Sequence, residues 1–162
     1  MEIKPKISKE RLREFSGEHL YYEIAMLYGS VEKLQEGIED DILYSALLES
    51  FVLHASIILD FFYKPQIKPD DARAIHYIKN RKAWANALPD YDKHFRKFGK
   101  KRNKALAHLT YKRLDATVED KHWGAVPIVK QIKKIVDTFL EKADEDLIHP
   151  KLYELRSKKK KD

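Results

Sequence analysis

The chain has 162 residues, 43% of them hydrophobic, and is therefore long and apolar enough for one folded domain with one core. It contains no cysteine, which excludes disulfide bonds, thiolate zinc sites and a cysteine nucleophile, and which fits a reducing cytoplasmic location. The net charge of +6 is unevenly distributed, because residues 93–113 hold nine Lys or Arg and no acidic residue.

The N-terminal third of the sequence predicts two helices and an acidic turn. The first residues contain no apolar run of the kind found in signal peptides. Ser8 is a candidate cap for a first helix, and Gly17 is a candidate breaker of it. Residues 18–35 then carry apolar side chains at spacings of three and four, which predicts an amphipathic helix. Acidic residues in the turn at 37–41 favour the start of another helix.

Residues 41–63 are apolar on nearly every side and predict the central helix of the domain. Their polar positions fall on one narrow ribbon of that helix, namely Ser45, Glu49, Ser56 and Asp60. Charged residues within the segment predict a buried helix rather than a membrane span, and no membrane partner is expected.

The remaining segments complete an all-α pattern. A loop at 64–71 precedes a predicted short helix at 71–79 and a less regular stretch at 80–90, which Trp84 and Pro89 interrupt. A basic helix is predicted at about 90–112, and an amphipathic helix at 127–145.

These elements predict one up-and-down bundle of about five helices. We assign residues 1–150 to a single helical domain and residues 151–162 to a basic, disordered C-terminal tail.

The basic helix carries an arginine on its apolar side. One stripe at spacings of three and four comprises Phe95, Phe98, Arg102, Ala105 and Leu109. A guanidinium cannot shed its proton, so its burial requires a partner. Arg102 must reach a carboxylate, backbone carbonyls, a neighbouring chain or an anionic ligand; within the chain, Glu49 and Asp60 are the candidates.

His108 lies six residues after Arg102, roughly 120° further around the helix. Two such helices around a two-fold axis would bring four groups to one phosphate. The alternative is structural: a histidine with satisfied hydrogen bonds and an arginine in an internal ion pair. Likewise, the basic run is either a solvated helix face or a surface for a polyanion.

The segment RNKALAH, from Arg102 to His108, resembles the R-x(4–6)-H motif of the HEPN superfamily, and Asn103 matches the polar residue that usually follows the arginine. The flanking AHLTYKR and the upstream LHASIILDFF are similar to uncharacterised prokaryotic HEPN-like proteins. The resemblance implies an α-helical bundle that forms a homodimer through the motif helix. It also implies a metal-independent endoribonuclease in toxin–antitoxin or phage-defence systems, with an antitoxin or another protein as further partner.

Carried over to this sequence, the resemblance gives His108 the role of general base or acid, and Arg102 that of phosphate clamp. Asn103 would orient the phosphate or the histidine, and Glu49 would fix one of the two motif residues. The expected contacts to the RNA backbone come from Lys97, Lys100, Lys101, Lys104, Lys112 and Arg113.

Three functions remain open from the sequence: a HEPN ribonuclease, a non-catalytic HEPN module that binds RNA or a partner protein, and a helical adaptor for an acidic protein. No metal or other cofactor is expected, because the histidines show no ligand spacing with carboxylates and no glycine-rich phosphate loop is present. Arg102 locked to Glu49 or Asp60 in a monomer would favour a structural role, whereas paired motif helices with a polar cleft between them would favour catalysis.

Overall fold

The computed structural model describes residues 7–65, 67–105, 111–115 and 123–157, without the side chains of 103–105, 112 and 113. The all-α prediction is confirmed: the described residues contain no β-strand. The α-helices are α1 (Lys9–Phe15), α2 (Tyr21–Gln35), α3 (Asp41–Tyr63), α4 (Arg81–Ala87), α5 (Lys93–Ala105) and α6 (Ala125–Lys142). Short 3-10 turns at 74–77, 111–115, 145–147 and 150–155 accompany them.

The first two helices run into each other through a wide turn. Ser8 caps α1 as predicted, since its hydroxyl accepts a hydrogen bond from the backbone N–H of Arg11 (3.3 Å). Gly17 does not break the chain of helical turns, because Ser16–Leu20 forms a π-helical turn that leads into α2. A Cβ at Gly17 would lie 2.6 Å from Cγ of His149, so glycine permits this close approach.

The central helix α3 has the predicted bounds, and its N-cap is Asp40, whose carboxylate accepts from the N–H of Leu43 (2.8 Å). In its C-terminal half one side is buried in the core, whereas Leu53 and Ile57 on the outer side are exposed. Its first six residues, 41–46, are all exposed, so the prediction of a buried helix holds for only part of its length.

By length and composition, α3 also meets the criteria for a helix that crosses a membrane. Its most apolar window has a mean hydropathy of 1.8, and 33% of that window is buried within the fold. The core helix of a soluble protein can meet the same criteria. The expectation of no membrane partner therefore stays a prediction.

The connection from α3 to α5 differs from its prediction at two places. The expected helix at 71–79 is only a 3-10 turn at Ala74–Tyr77. The stretch at 80–90, expected to be irregular, contains α4, which Asn80 caps by accepting from the N–H of Ala83 (2.9 Å). Trp84 on α4 is buried against Phe139 of α6.

The basic helix α5 and the last helix α6 follow their predictions. Within the predicted span of 90–112, α5 covers Lys93–Ala105, and residues 106–110 lie outside the described part of the chain. Every residue of the apolar stripe predicted for α6 is buried: Ile128, Ile132, Ile135, Val136 and Phe139. Phe139 lies at the centre of an aromatic cluster with Phe61, Phe62, Tyr77 and Trp84.

The C-terminal segment returns to the N-terminal helices. The 3-10 turn at Pro150–Leu155 buries Leu152 completely, so the folded part of the chain extends past residue 150. The N–H of His149 donates to the Ser16 hydroxyl (2.8 Å), and the Tyr77 hydroxyl donates to the carbonyl of Leu12 (3.0 Å). Lys158–Lys161, the basic end of the predicted tail, lie outside the described residues.

Candidate nucleic-acid interface

The start of α5 is fixed by Asp92. Its carboxylate accepts hydrogen bonds from the N–H groups of His94 (2.8 Å) and Phe95 (3.1 Å) and from Nε2 of Gln131 on α6 (3.0 Å). Burial tends to raise the pKa of Asp92, but these three donors outweigh it, and the pKa lies below its ordinary value. The charged carboxylate thus caps α5 and ties it to α6.

One face of α5 is anchored in the core by Phe95 and Phe98, which are 1% and 3% exposed. The Phe98 ring packs edge-on against Phe51 of α3, with centroids 5.8 Å apart, and against Trp123, with centroids 5.9 Å apart. These contacts set the rotation of α5 and decide which of its side chains point to solvent.

The opposite face of α5 is exposed and basic. We call this surface the α5 basic face and define it as Lys93, Arg96, Lys97 and Lys100, which are all exposed. Lys101 is half-buried, with its ammonium 4.5 Å from the centre of the Trp123 ring. The sequence of α5 contains no Asp or Glu, so the face presents one sign of charge to a polyanion.

Arg102 emerges at the edge of this helix and pairs with Asp60 on the last turns of α3. Its Nη2 lies 3.2 Å from Oδ1 of Asp60, and the two side chains are 24% and 34% exposed. The other carboxylate oxygen lies 3.5 Å from Nζ of Lys64. The carboxylate of Asp60 is therefore paired with two cations, those of Arg102 and Lys64, at the surface where α3 and α5 meet.

The electrostatics of this junction extend to Tyr91, whose hydroxyl donates to the carbonyl of Phe95 (3.2 Å). Burial raises the pKa of Tyr91, the positive charge of Arg102 acts against that rise, and the negative charge of Asp60 adds to it. Tyr91 stays a neutral hydrogen-bond donor and supports the start of α5.

Of the two carboxylates predicted for Arg102, the structure brings only Asp60 to it. Glu49 lies eleven residues earlier on the same helix, about 16 Å from Asp60 along the axis, and its side chain is exposed. An ion pair between Arg102 and Asp60 within one chain favours a structural role for Arg102.

The other predicted site residues are described only in part. Lys97 and Lys100 belong to the α5 basic face, and Lys101 lies on Trp123. Asn103 and Lys104 lie within α5, and Lys112 and Arg113 within the 3-10 turn at Tyr111–Asp115, but their side chains are outside the described structure. His108 also lies outside the described residues.

Two features near Arg102 were not predicted from the sequence. Lys64 shares Asp60 with Arg102, and its i,i+4 spacing from Asp60 at the end of a helix was the available signal. A cleft of about 400 Å³ also opens beside Asp60, between α2 and the end of α3. Its lining carries both signs of charge: Glu23, Asp60 and Asp71 are acidic, and Lys64 and Arg73 are basic.

No cluster of His, Asp and Glu that could hold a metal ion occurs in the described ranges.

The chain matches no protein-family model, and neither a curated protein nor a solved structure matches it.

Proposed function

We propose that the protein binds RNA through the α5 basic face and cleaves the bound strand without a metal ion. The observation that carries the binding step is the α5 basic face itself, which is exposed, has one sign of charge and is held rigidly by Phe95 and Phe98. Such a surface attracts the phosphate backbone and does not read base sequence. The cleavage step rests on the HEPN-like spacing of Arg102 and His108.

In the proposed reaction, RNA supplies its own nucleophile. His108 removes the proton of the ribose 2′-OH, and the 2′-oxygen attacks the adjacent phosphorus. The protonated His108 then returns that proton to the 5′-oxygen of the next nucleotide, which leaves as a hydroxyl group. Arg102 stabilises the charge on the phosphate oxygens, and Asn103 orients the phosphate or the histidine. The products carry 2′,3′-cyclic phosphate and 5′-hydroxyl ends.

Asp60 has a defined part in this proposal. Its single hydrogen bond to Nη2 fixes one edge of the Arg102 guanidinium. A guanidinium has five N–H donors, so this contact does not exhaust its capacity to hold a phosphate. The resemblance further implies that two copies meet through the helix that carries the motif and share one composite site.

The ion pair between Arg102 and Asp60 also favours a second candidate, an RNA-binding module without catalysis. In that case Arg102 holds α5 on α3, and the α5 basic face alone contacts RNA. The two candidates share the binding step and differ only in whether the RNA is cut.

Cleavage is tested by incubating the purified protein with total RNA in the presence of EDTA and mapping the ends of the fragments. We expect cyclic-phosphate ends from the wild type and a loss of at least about 100-fold in rate for Arg102→Ala and for His108→Ala. Asp60→Asn, which keeps a hydrogen-bond acceptor, should retain more activity than Arg102→Ala. Wild-type rates in either motif variant would reject the catalytic assignment and leave the binding module.

Binding is tested separately with a single-stranded RNA at several salt concentrations. The double variant Lys97→Ala/Lys100→Ala should bind more weakly and should reduce the slope of log K against log [salt] by roughly 1 to 1.5. The matched control is Lys130→Ala/Lys134→Ala, which removes two exposed lysines from α6. Equal effects of the two pairs, or no RNA affinity at all, would favour an adaptor that docks on an acidic protein.

The biological setting that the resemblance suggests is a cytoplasmic toxin or phage-defence component with an antitoxin or another protein partner. An active ribonuclease of this kind should arrest the growth of cells that express it alone. His108→Ala should relieve that arrest, so the growth of cells that express each form checks this setting.

A further inference from the structure

The outer side of α3 carries an exposed apolar stripe. Ile42, Leu53 and Ile57 are 83%, 55% and 40% exposed, and Ala46 is exposed as well. At about 100° per residue these four positions fall within about 60° of the helix circumference. We call them the α3 stripe, and Glu49 and Ser50 flank its midpoint.

The neighbouring helix α2 continues this apolar surface. The bonds from His54 to Glu23 (2.6 Å) and from Ser50 to Ser30 (2.8 Å) fix the antiparallel register of α2 and α3. In that register Tyr22 and Met26, which are 53% and 36% exposed, lie beside the C-terminal part of the α3 stripe. Gly29, next along α2, has open space where a Cβ would stand, so no other side chain covers the surface at that point.

The size of this surface matches one partner's share of a protein interface. Five large apolar side chains belong to this surface and are between 36% and 83% exposed: Tyr22, Met26, Ile42, Leu53 and Ile57. Together they present several hundred Å², the larger part of the share of about 800 Å² that each partner buries in a standard interface. Monomeric soluble proteins rarely leave a contiguous apolar surface of this size uncovered.

The order of residues along the α3 stripe is self-complementary. If a second α3 is laid antiparallel with its midpoint at Glu49 and Ser50, Ile42 faces Ile57 of the second copy. In the same register Ala46 faces Leu53 of the second copy, so a small side chain meets a large one. Every apolar residue of the stripe thereby contacts another apolar residue.

The charges at the two ends of the α3 stripe are complementary in the same register. The N-terminal end follows the exposed acidic residues Glu39, Asp40 and Asp41. The C-terminal end carries Lys64 and Arg102, whose cations share Asp60. Antiparallel association brings the acidic end of one copy to the basic end of the other, twice per dimer.

From the size, the register and the charges, we propose that the α3 stripe is the contact surface of a two-fold homodimer of this chain. Two antiparallel α2–α3 hairpins then form a four-helix bundle around the stripe. The two Asp60–Arg102 pairs would lie about 30 Å apart along the paired α3 helices. This interface holds the two Arg102 side chains too far apart for one composite catalytic site, so it is a different contact from the motif-helix contact that such a site requires.

Sedimentation and mutation test the surface. We expect the wild type to sediment as a dimer and Leu53→Glu to raise the dissociation constant at least about 100-fold, because two charges enter the apolar contact. Leu53 is 55% exposed, so circular dichroism should show the variant folded. The control is Ile67→Glu, on a loop and 65% exposed, which should leave the dimer intact.

Cross-linking tests the register, and the absence of native cysteine allows single-cysteine variants. Glu49→Cys, beside the two-fold axis, should cross-link to itself with a short thiol-specific reagent. Ile42→Cys should not cross-link to itself, because its copies lie about 22 Å apart, but it should cross-link to Ile57→Cys in a mixture of the two proteins.

Three results would overturn the proposal. If the wild type is monomeric at all concentrations, the α3 stripe does not bind a second copy of this chain. If the wild type then binds lipid and Leu53→Glu abolishes that binding, the partner of the stripe is a membrane. A dimer that Leu53→Glu does not weaken would place the contact elsewhere, with the motif helix the first alternative. Self-cross-linking of Ile42→Cys without that of Glu49→Cys would exclude the antiparallel register.

Discussion

The two halves of α3 have similar apolar compositions but lie in different surroundings. From residue 51 onward, Phe51 packs on Phe98 of α5, and Phe62 packs on Trp84 of α4 and Phe139 of α6. In the N-terminal half, Ile42 and Leu43 are 83% and 51% exposed. The comparison shows that an apolar sequence predicts a helix but does not predict which of its residues are buried. Burial depends on packing against elements that are distant in the chain.

The largest expected effect lies in the buried half. Phe51→Ala removes a completely buried ring that contacts Phe98, and we expect it to lower the free energy of unfolding by about 3–5 kcal/mol. Urea denaturation followed by circular dichroism measures the change. A loss below about 1 kcal/mol would mean that the α3–α5 contact does not hold the monomer together.

A smaller effect is expected at the cap of the exposed half. Asp40→Ala removes the acceptor for the N–H of Leu43 and should cost about 1 kcal/mol in the same measurement. Asp41→Ala is the matched control: it removes a neighbouring acidic residue from the first turn and should cost only a few tenths of a kcal/mol. Equal losses would show that the charge, and not the capping bond, stabilises the start of α3.

The smallest effect is expected at Leu53, which lies two residues after Phe51 and on the opposite, outer side of α3. Leu53→Ala should change the unfolding free energy of dilute, monomeric protein by less than about 0.5 kcal/mol, since the side chain is already 55% exposed. At concentrations where the wild type is dimeric, the same variant should be less stable than the wild type. A loss at Leu53 equal to that at Phe51 would remove the distinction between the buried and the outer side of α3.

The helices with clear periodicity could be predicted from sequence, and the short elements could not. α2, α3 and α6 each bury a stripe at spacings of three and four. α4 spans only Arg81–Ala87, too short for a period to show, although Asn80 was a usable capping signal. The predicted helix at 71–79 shortens to one 3-10 turn, where buried Arg73 donates to the carbonyls of Asp60 and Ala72 instead of facing solvent.

The sequence predicted that Arg102 needs a partner, but it did not predict which residue that partner is. The position of Arg102 in an apolar stripe required a partner of some kind, and within the chain the polar ribbon of the central helix made Glu49 and Asp60 the candidates. The choice between them depended on where α5 crosses α3. That crossing is set by the packing of Phe98 on Phe51 and of Phe95 beside Tyr63, which are contacts between residues distant in sequence.

The contact of Gly17 and Ser16 with His149 has a topological consequence. Because these contacts hold the residues just after α1 beside the residue just before the last 3-10 turn, a linker between the first and last described residues could close the chain into a ring without disturbing the helices. New termini opened in the exposed loop after α3 would then give a circular permutant with the same bundle. In such a permutant α3 would become the last helix of the chain, and the α2–α3 hairpin would still be continuous.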